Sequence, residues 1–110
     1  MAGLLTAADR EGSFKIRFEP TAKLQTGVEV PFEVHVDDAL GKPLQGDADI
    51  QLAIARPGQT PEASVKAWFV RPGVYIAKPQ FPGDGQWAVT VTARRTNEAT
   101  QRTINFIVTD

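Results

Sequence analysis

Few residues in this chain have side chains suited to chemistry, and the first is a lone histidine. His35 is the only histidine among the 110 residues, and Asp37 follows two positions later. Side chains two apart on a strand share a face, so this pair could form a base or part of a metal site. Neither serine, Ser13 or Ser64, stands in a Gly-x-Ser-x-Gly elbow. We therefore interpret His35 as a solvated strand residue and expect no enzyme activity, because no acid, base and nucleophile set can be assembled.

Metal ligands are equally sparse. Copper and zinc need clustered His, Met or Cys side chains, and the chain has one His, one Met and no Cys. Aspartates flank the loop 39–46 and could offer oxygen ligands to calcium, but EF-hand spacing is absent and acidic residues also favour turns. We expect no metal or other cofactor. The weak metal-ligand candidates are His35, Asp37, Asp38, Asp47 and Asp49.

Aromatic and basic residues supply the candidate contacts for a protein partner. Trp68 and Phe69 are adjacent, so if Phe69 faces inward then Trp68 faces outward and can act as a contact anchor. A small basic group borders the segment 96–101 and could meet an acidic partner or lipid headgroups, or could simply keep a hairpin tip soluble. Its members are Arg94, Arg95 and Arg102. The partner-binding candidates are Trp68, Arg94, Arg95 and Lys42, the last of which lies in the loop 40–46.

Length and composition narrow the function classes. The chain has 12 Lys and Arg against 13 Asp and Glu, a net charge of -1 and a hydrophobic fraction of 42%. These values are typical of one soluble globular domain and argue against nucleic-acid binding, which needs a concentrated basic face. Without cysteine, disulfides and thiolate sites are excluded. We predict a single domain over 13–110, preceded by a flexible tail or an extra edge strand over 1–12.

Period-two alternation of apolar and polar residues dominates the sequence and predicts β-strands. It is clearest over 28–37, where the face predicted to be buried carries Val28, Val30, Phe32, Val34 and Val36. Comparable alternation predicts strands over 13–19, 50–54, 86–94 and 102–109.

Two segments have an ambiguous register. The adjacent Trp68 and Phe69 obscure the alternation of 64–70, and 74–81 could bury either Val74 and Ile76 or Tyr75 and Ala77. No segment forms a convincing helix; the best candidate, 60–66, could equally be a loop. About seven short strands separated by Gly and Pro turns predict an all-β fold, an immunoglobulin-like antiparallel β-sandwich.

Four short motifs carry a resemblance to a known family. They are an Asp-x-x-Gly-x-Pro sequence at 38–43, Arg56-Pro57, Gly73-Val74-Tyr75, and Gly85-Gln86-Trp87 followed by alternating apolar residues. Together they resemble the FixH and YtkA-like family of bacterial periplasmic domains. The resemblance implies an envelope protein tethered by an N-terminal membrane helix, and FixH-like members are associated with oxidase assembly and a copper-transporting pump.

The resemblance leads to a functional expectation. We expect a non-enzymatic binding or scaffolding module of the bacterial envelope, periplasmic or extracytoplasmic, whose protein partner belongs to a membrane or metal-handling complex. Contact with the membrane itself would require an anchor or leader that precedes Met1, because no run in the chain approaches the roughly 20 apolar residues of a spanning helix. Two alternatives stay open: a structural spacer or adhesive domain of a larger extracellular protein, and a calcium- or copper-binding module.

Overall fold

The computed structural model describes residues 9–10, 14–46, 48–95 and 98–110. Within these ranges the chain folds entirely into strands and turns, without a helix. In chain order the strands are β1 Asp9–Arg10, β2 Lys15–Pro20, β3 Phe32–Asp37, β4 Asp49–Ala55, β5 Ala63–Lys66, β6 Trp68–Arg71, β7 Val74–Ala77, β8 Gly85–Arg95 and β9 Glu98–Val108.

The strands form two antiparallel sheets that pack into a sandwich. One sheet has the order β1-β9-β8-β4-β5 and the other has the order β2-β3-β7-β6. The second order corresponds to strands A-B-E-D of the immunoglobulin fold, and β5-β4-β8-β9 corresponds to C′-C-F-G. The predicted sandwich is therefore confirmed, with more strands than the alternation indicated.

The core lies between the sheets and is rich in aromatic rings. Phe32 on β3 meets Phe106 on β9 edge to face, with ring centroids 5.5 Å apart, and so joins the two sheets. Phe81 makes a similar contact with Trp87, at 5.8 Å. Trp87 is completely buried and donates its indole N–H to the carbonyl of Gly83 at 2.9 Å. A buried indole satisfied in this way combines a large apolar area with no unpaired polar atom.

The alternation predicted the buried face of β3 correctly, except at its start. Val30, Phe32, Val34 and Val36 are all buried, but Val28 is 45% exposed. The regular strand begins only at Phe32, and the turn before it contains Gly27 at a φ of 80°. A residue with a left-handed φ interrupts the alternation of an extended chain, so the Val28 side chain does not share the buried face of β3.

The segment 64–70 does not form one strand. Ala63–Lys66 pairs with β4 in one sheet and Trp68–Arg71 pairs with β7 in the other, so the chain crosses the sandwich at Ala67. The buried amide of Ala67 donates to the Ile50 carbonyl at 2.9 Å. This crossing explains the ambiguous register, because the two halves alternate relative to different sheets. The segment 60–66, for which a helix or a loop was left open, forms no helix, and its last four residues are β5.

In the second ambiguous segment, Tyr75 and Ala77 join the core cluster and Ile76 is half-buried, although Val74 is buried as well. β9 begins at Glu98 and pairs with β8 along its whole length, so Arg102 lies well inside a strand. In the N-terminal segment, Asp9–Arg10 pairs with β9. The other residues of that segment lie outside the described ranges. Across the described residues, no helix offers the length and apolarity that crossing a membrane requires.

Candidate functional site

His35 lies on the outer face of β3, where it contacts Glu33. The distance between His35 Nε2 and Glu33 Oε1 is 2.8 Å, and both side chains are partly exposed. Asp37 shares this face but stands opposite Lys15 in the register with β2. A histidine and one carboxylate can exchange a proton, but they do not make a hydrolytic set without a nucleophile. In the described ranges, no three His, Asp or Glu side chains are grouped so that they could hold a metal ion.

The aspartates around the loop 39–46 have separate positions. Asp38 closes the loop on itself, because its Oδ1 accepts from the backbone N–H groups of Leu40 at 2.9 Å and Lys42 at 3.0 Å. Asp49 stands opposite Arg94 in the β4–β8 register, and its Oδ1 is buried with no hydrogen-bond partner among the described residues. Asp47 lies outside the described residues. The carboxylate of Asp38 therefore stabilises the loop 39–46, and the Lys42 side chain is exposed in that loop.

The three arginines proposed as a basic patch point in different directions. Arg94 and Arg95 are successive on β8 and therefore face opposite sides of the sheet. Arg95 donates to the Gln45 carbonyl at 2.6 Å and lies over the ring of Phe14. Arg102 reaches across the sandwich to the Ile16 carbonyl at 2.8 Å. The three arginines do not form one patch, because Arg95 and Arg102 are hydrogen-bonded to backbone carbonyls in different parts of the fold.

Two of the resemblance motifs meet in a single contact, which the sequence analysis did not foresee. The guanidinium of Arg56 lies 4.0 Å from the centroid of the Trp87 ring. Its Nη1 also donates to the carbonyls of Asp84 at 2.8 Å and Gln86 at 3.2 Å. The space for this guanidinium exists because Gly85 has no side chain: a Cβ there would lie 3.1 Å from Nη1. Arg56-Pro57 and Gly85-Gln86-Trp87 therefore join the β4–β5 connection to the start of β8, a contact that we name the clamp.

The other two motifs meet as well. A Cβ on Gly73 would lie 2.8 Å from Pro43 Cβ, so the Asp-x-x-Gly-x-Pro loop packs directly on the β6–β7 turn. The Tyr75 hydroxyl accepts from the Ala48 backbone N–H at 3.1 Å. All four motifs thus stabilise turns and their packing. They identify a framework, and a binding surface must be sought elsewhere.

Strand β6 carries the most unusual surface in the described structure. Trp68, Phe69 and Val70 are successive and are 48%, 44% and 43% exposed. Strands that border a core normally alternate buried and exposed residues, and all four residues of β6 are exposed. β6 is also the last strand of its sheet, so one side of its backbone has no neighbouring strand among the residues that the structure describes. The expectation that Trp68 faces outward agrees with this geometry, although Phe69 does not become buried in exchange.

A recess of about 300 Å³ lies beside this edge, where the two sheets separate. Its lining residues are Ala48, Lys66, Ala67, Trp68, Phe69 and Tyr75. The Phe69 and Tyr75 rings meet edge to face at 5.7 Å and form one wall. Lys78 Nζ lies 5.6 Å from the centroid of the Trp68 ring, which is within the range of a cation–π contact. The recess is therefore aromatic with a cationic margin.

A sequence signal for this surface was available and was overlooked. The segment 63–83 contains no acidic residue, although the whole chain has a net charge of -1. Its charged residues are Lys66, Arg71 and Lys78, so it carries a charge of about +3 by formal counting. β5, β6 and β7 all lie in this segment. The edge formed by residues 63–71, which we name the β6 edge, therefore combines exposed aromatic side chains with positive charge.

Comparison with known proteins identifies the family. The YtkA-like family model matches residues 7–92, which is more than half of the chain. The chain belongs to the YtkA-like family. The YtkA-like part of the resemblance is thereby confirmed, and the FixH part stays a prediction.

One solved structure supports the fold. It is the crystal structure of an engineered protein, a Northeast Structural Genomics Consortium target, with a TM-score of 0.59 and 14% sequence identity. The match covers 86% of this chain but only 20% of the other, so the YtkA-like chain spans about a fifth of that protein's length. At this identity the likeness concerns the fold alone. No curated protein is similar enough to match the chain.

Proposed function

We propose that this YtkA-like domain is a non-enzymatic protein-binding module whose docking surface is the β6 edge. The observation that carries the proposal is the exposure of Trp68, Phe69 and Val70 along an edge strand that, among the described residues, pairs only with β7. Tryptophan and other large aromatic side chains dominate the binding energy of protein interfaces when a partner desolvates them. An open strand edge with exposed apolar residues also favours aggregation, so its presence in a stable domain supports a role in recognition.

We also propose a setting for the module, which rests on the family rather than on the geometry. The domain would lie in the bacterial envelope and act as an accessory to a membrane or metal-handling complex. The functional surface would be the outside of the sandwich, since its interior is filled by side chains and the recess beside the β6 edge is open to solvent.

Site-specific photo-crosslinking in cells of the native host tests the proposal. A photoreactive phenylalanine analogue replaces Phe69, and a matched control places it at Ile107, which is 64% exposed on the opposite edge region of the other sheet. We expect position 69 to form an adduct with one defined protein, identified by mass spectrometry of the cross-linked peptides and then reconstituted from purified components. Position 107 should form none with that protein.

Localisation is tested separately by fractionating cells that produce the protein from its own gene. Recovery in the envelope fraction is expected. Recovery in the cytosol would contradict the proposed setting.

In the cross-linking experiment, adducts that are equally abundant at positions 69 and 107 would contradict the docking surface and would favour the structural spacer.

A further inference from the structure

We propose that the partner of the β6 edge is an acidic, extended segment of another protein, which adds as a further strand beside β6 and inserts one apolar side chain into the recess. This inference rests on the proposed function and names the class of partner. It follows from three features of the same surface: the open backbone, the aromatic recess and the excess of positive charge.

The backbone of β6 favours an extended partner. Within the described ranges β6 pairs on one side only, with β7, through Trp68 with Ile76, Phe69 with Tyr75 and Arg71 with Val74. The other side of an edge strand presents N–H and C=O groups at the spacing that an incoming strand can satisfy. The register shift between Phe69 and Arg71 interrupts regular pairing there. The matching segment is therefore short, about four residues by the length of β6.

The recess supplies a position for one side chain of that segment. It opens beside Trp68 and Phe69, and Lys66 contributes to its lining. Alternate side chains of an added strand point to the same face, so every second residue can reach the recess while its neighbours point away. An aliphatic or aromatic residue fits a wall formed by the Phe69 and Tyr75 rings.

The charge of the edge selects acidic neighbours for that apolar residue. Lys66 lies at the recess, Arg71 ends β6, and Lys78 lies beside the Trp68 ring. On the outer face of this sheet, the acid closest to Trp68 in register is Glu33, two strands away and already bonded to His35. On the other sheet, Asp49 follows the recess residue Ala48 but stands opposite Arg94 in the β4–β8 register. A carboxylate on the partner would therefore meet the three cations of this edge, which increases both the association rate and the specificity.

Two other occupants fit the observations less well. A second copy of the chain would bring two sets of these three cations together, and like charges at an interface oppose association. An anionic lipid surface would satisfy the cations and the aromatic rings, but it offers no strand to pair with the open backbone of β6. The test below includes an arm for each.

A nuclear magnetic resonance titration of the isotope-labelled domain tests the inference. The probe is a capped hexapeptide that alternates glutamate with valine and carries one phenylalanine in place of a valine. We expect its amide shift changes to concentrate on β5, β6 and the start of β7. The same peptide with lysine in place of glutamate should bind at least tenfold more weakly. A version with methylated backbone nitrogens should also bind more weakly, because it cannot donate to the strand edge.

Matched variants separate the recess from the charge. Trp68→Ala should weaken binding of the acidic peptide by about tenfold, whereas Ile107→Ala should leave it unchanged. Lys66→Glu should weaken binding roughly threefold or more, and Lys15→Glu, which reverses an exposed charge on the distant β2 edge, should have a smaller effect. All four variants alter exposed side chains, and an unchanged amide spectrum outside the substituted region verifies their fold.

Several outcomes would overturn the inference. Equal affinities for the glutamate and lysine peptides, or for the methylated and unmethylated glutamate peptides, would contradict it, as would shift changes centred on β2. Binding to phosphatidylserine vesicles with no response to any peptide would favour a lipid surface. Self-association in sedimentation velocity that Trp68→Ala abolishes would favour a second copy of the chain. An adduct from position 69 to a neutral or helical segment of a partner would overturn the acidic-strand inference and leave the proposed function standing. The absence of any such adduct would count against the proposed function itself.

Discussion

Removing the Arg56 side chain measures how much the clamp over Trp87 stabilises the fold. In Arg56→Ala, the cation–π contact at 4.0 Å and the two hydrogen bonds to the carbonyls of Asp84 and Gln86 are lost together. A partly desolvated cation–π contact contributes about 1 kcal/mol. A hydrogen bond from a charged donor contributes about 1.5 kcal/mol or more. The two hydrogen bonds here share one nitrogen near solvent, so we assign about 1 kcal/mol to the pair together. We expect a loss of about 2 kcal/mol in the free energy of unfolding.

Urea unfolding followed by tryptophan fluorescence is the suitable assay, because Trp87 itself reports on the clamp. The second indole is removed by carrying out the series in a Trp68→Phe background. The midpoint should fall while the dependence on urea stays constant, as expected for a change in stability rather than in the surface exposed. A loss of this size corresponds to a fall of about 10 °C in the melting temperature of a domain of this length.

Two further variants isolate the geometry of the clamp. Arg56→Lys keeps the charge but not the planar fork, so it should retain only part of the stability. Arg94→Ala removes an exposed arginine from the same sheet and should cost less than about 0.5 kcal/mol. If Arg56→Ala and Arg94→Ala have equal effects, the contact with Trp87 does not stabilise the fold and the explanation given for these two motifs is wrong.

The remaining predictions concern the turns and the core. Gly73→Ala should lower the free energy of unfolding by about 3 kcal/mol in urea, because its Cβ would clash with Pro43 and the φ is 79°. The control Gly58→Ala has a similar φ of 77° but open space around it, so it should lower the free energy of unfolding by only about 1 kcal/mol. Asp38→Ala should accelerate hydrogen exchange of the two loop amides that its carboxylate accepts from, while exchange within β3 stays unchanged. Tyr75→Phe should cost about 1 kcal/mol, and no loss of melting temperature would contradict the role assigned to its hydroxyl.

The sequence predicted most of the strands because side-chain alternation is a local property. β3 and β8 could be read directly, since one face of each packs on the core and period two is the only spacing that places apolar residues there. Prediction failed at Val28, where a left-handed glycine ends the extended conformation, and at Ala67, where the chain leaves one sheet for the other. Neither event changes the apolar content of the sequence, so neither alters the pattern on which the prediction depended.

The candidate site was predicted only in part. Trp68 was identified from its type and its neighbour, whereas Arg94 and Arg95 were grouped by proximity in sequence and prove to face opposite sides of β8. Lys66 and Lys78, which flank the exposed aromatic residues of β6, were not singled out, although the lack of acidic residues over 63–83 could have been read from the sequence. Residues on different strands become neighbours only through the pairing of β5, β6 and β7.

The sequence by itself determined that this protein is an all-β sandwich and most of the residues that its regular strands bury, because the burial of alternate side chains is encoded residue by residue. Only the tertiary structure decided that β6 lies at the edge of its sheet. It also decided that Arg95 and Arg102 donate to backbone carbonyls and that Arg56 lies over the ring of Trp87. These features depend on contacts between segments distant in the chain, and such contacts follow from the order of strands in the sheets rather than from any local pattern.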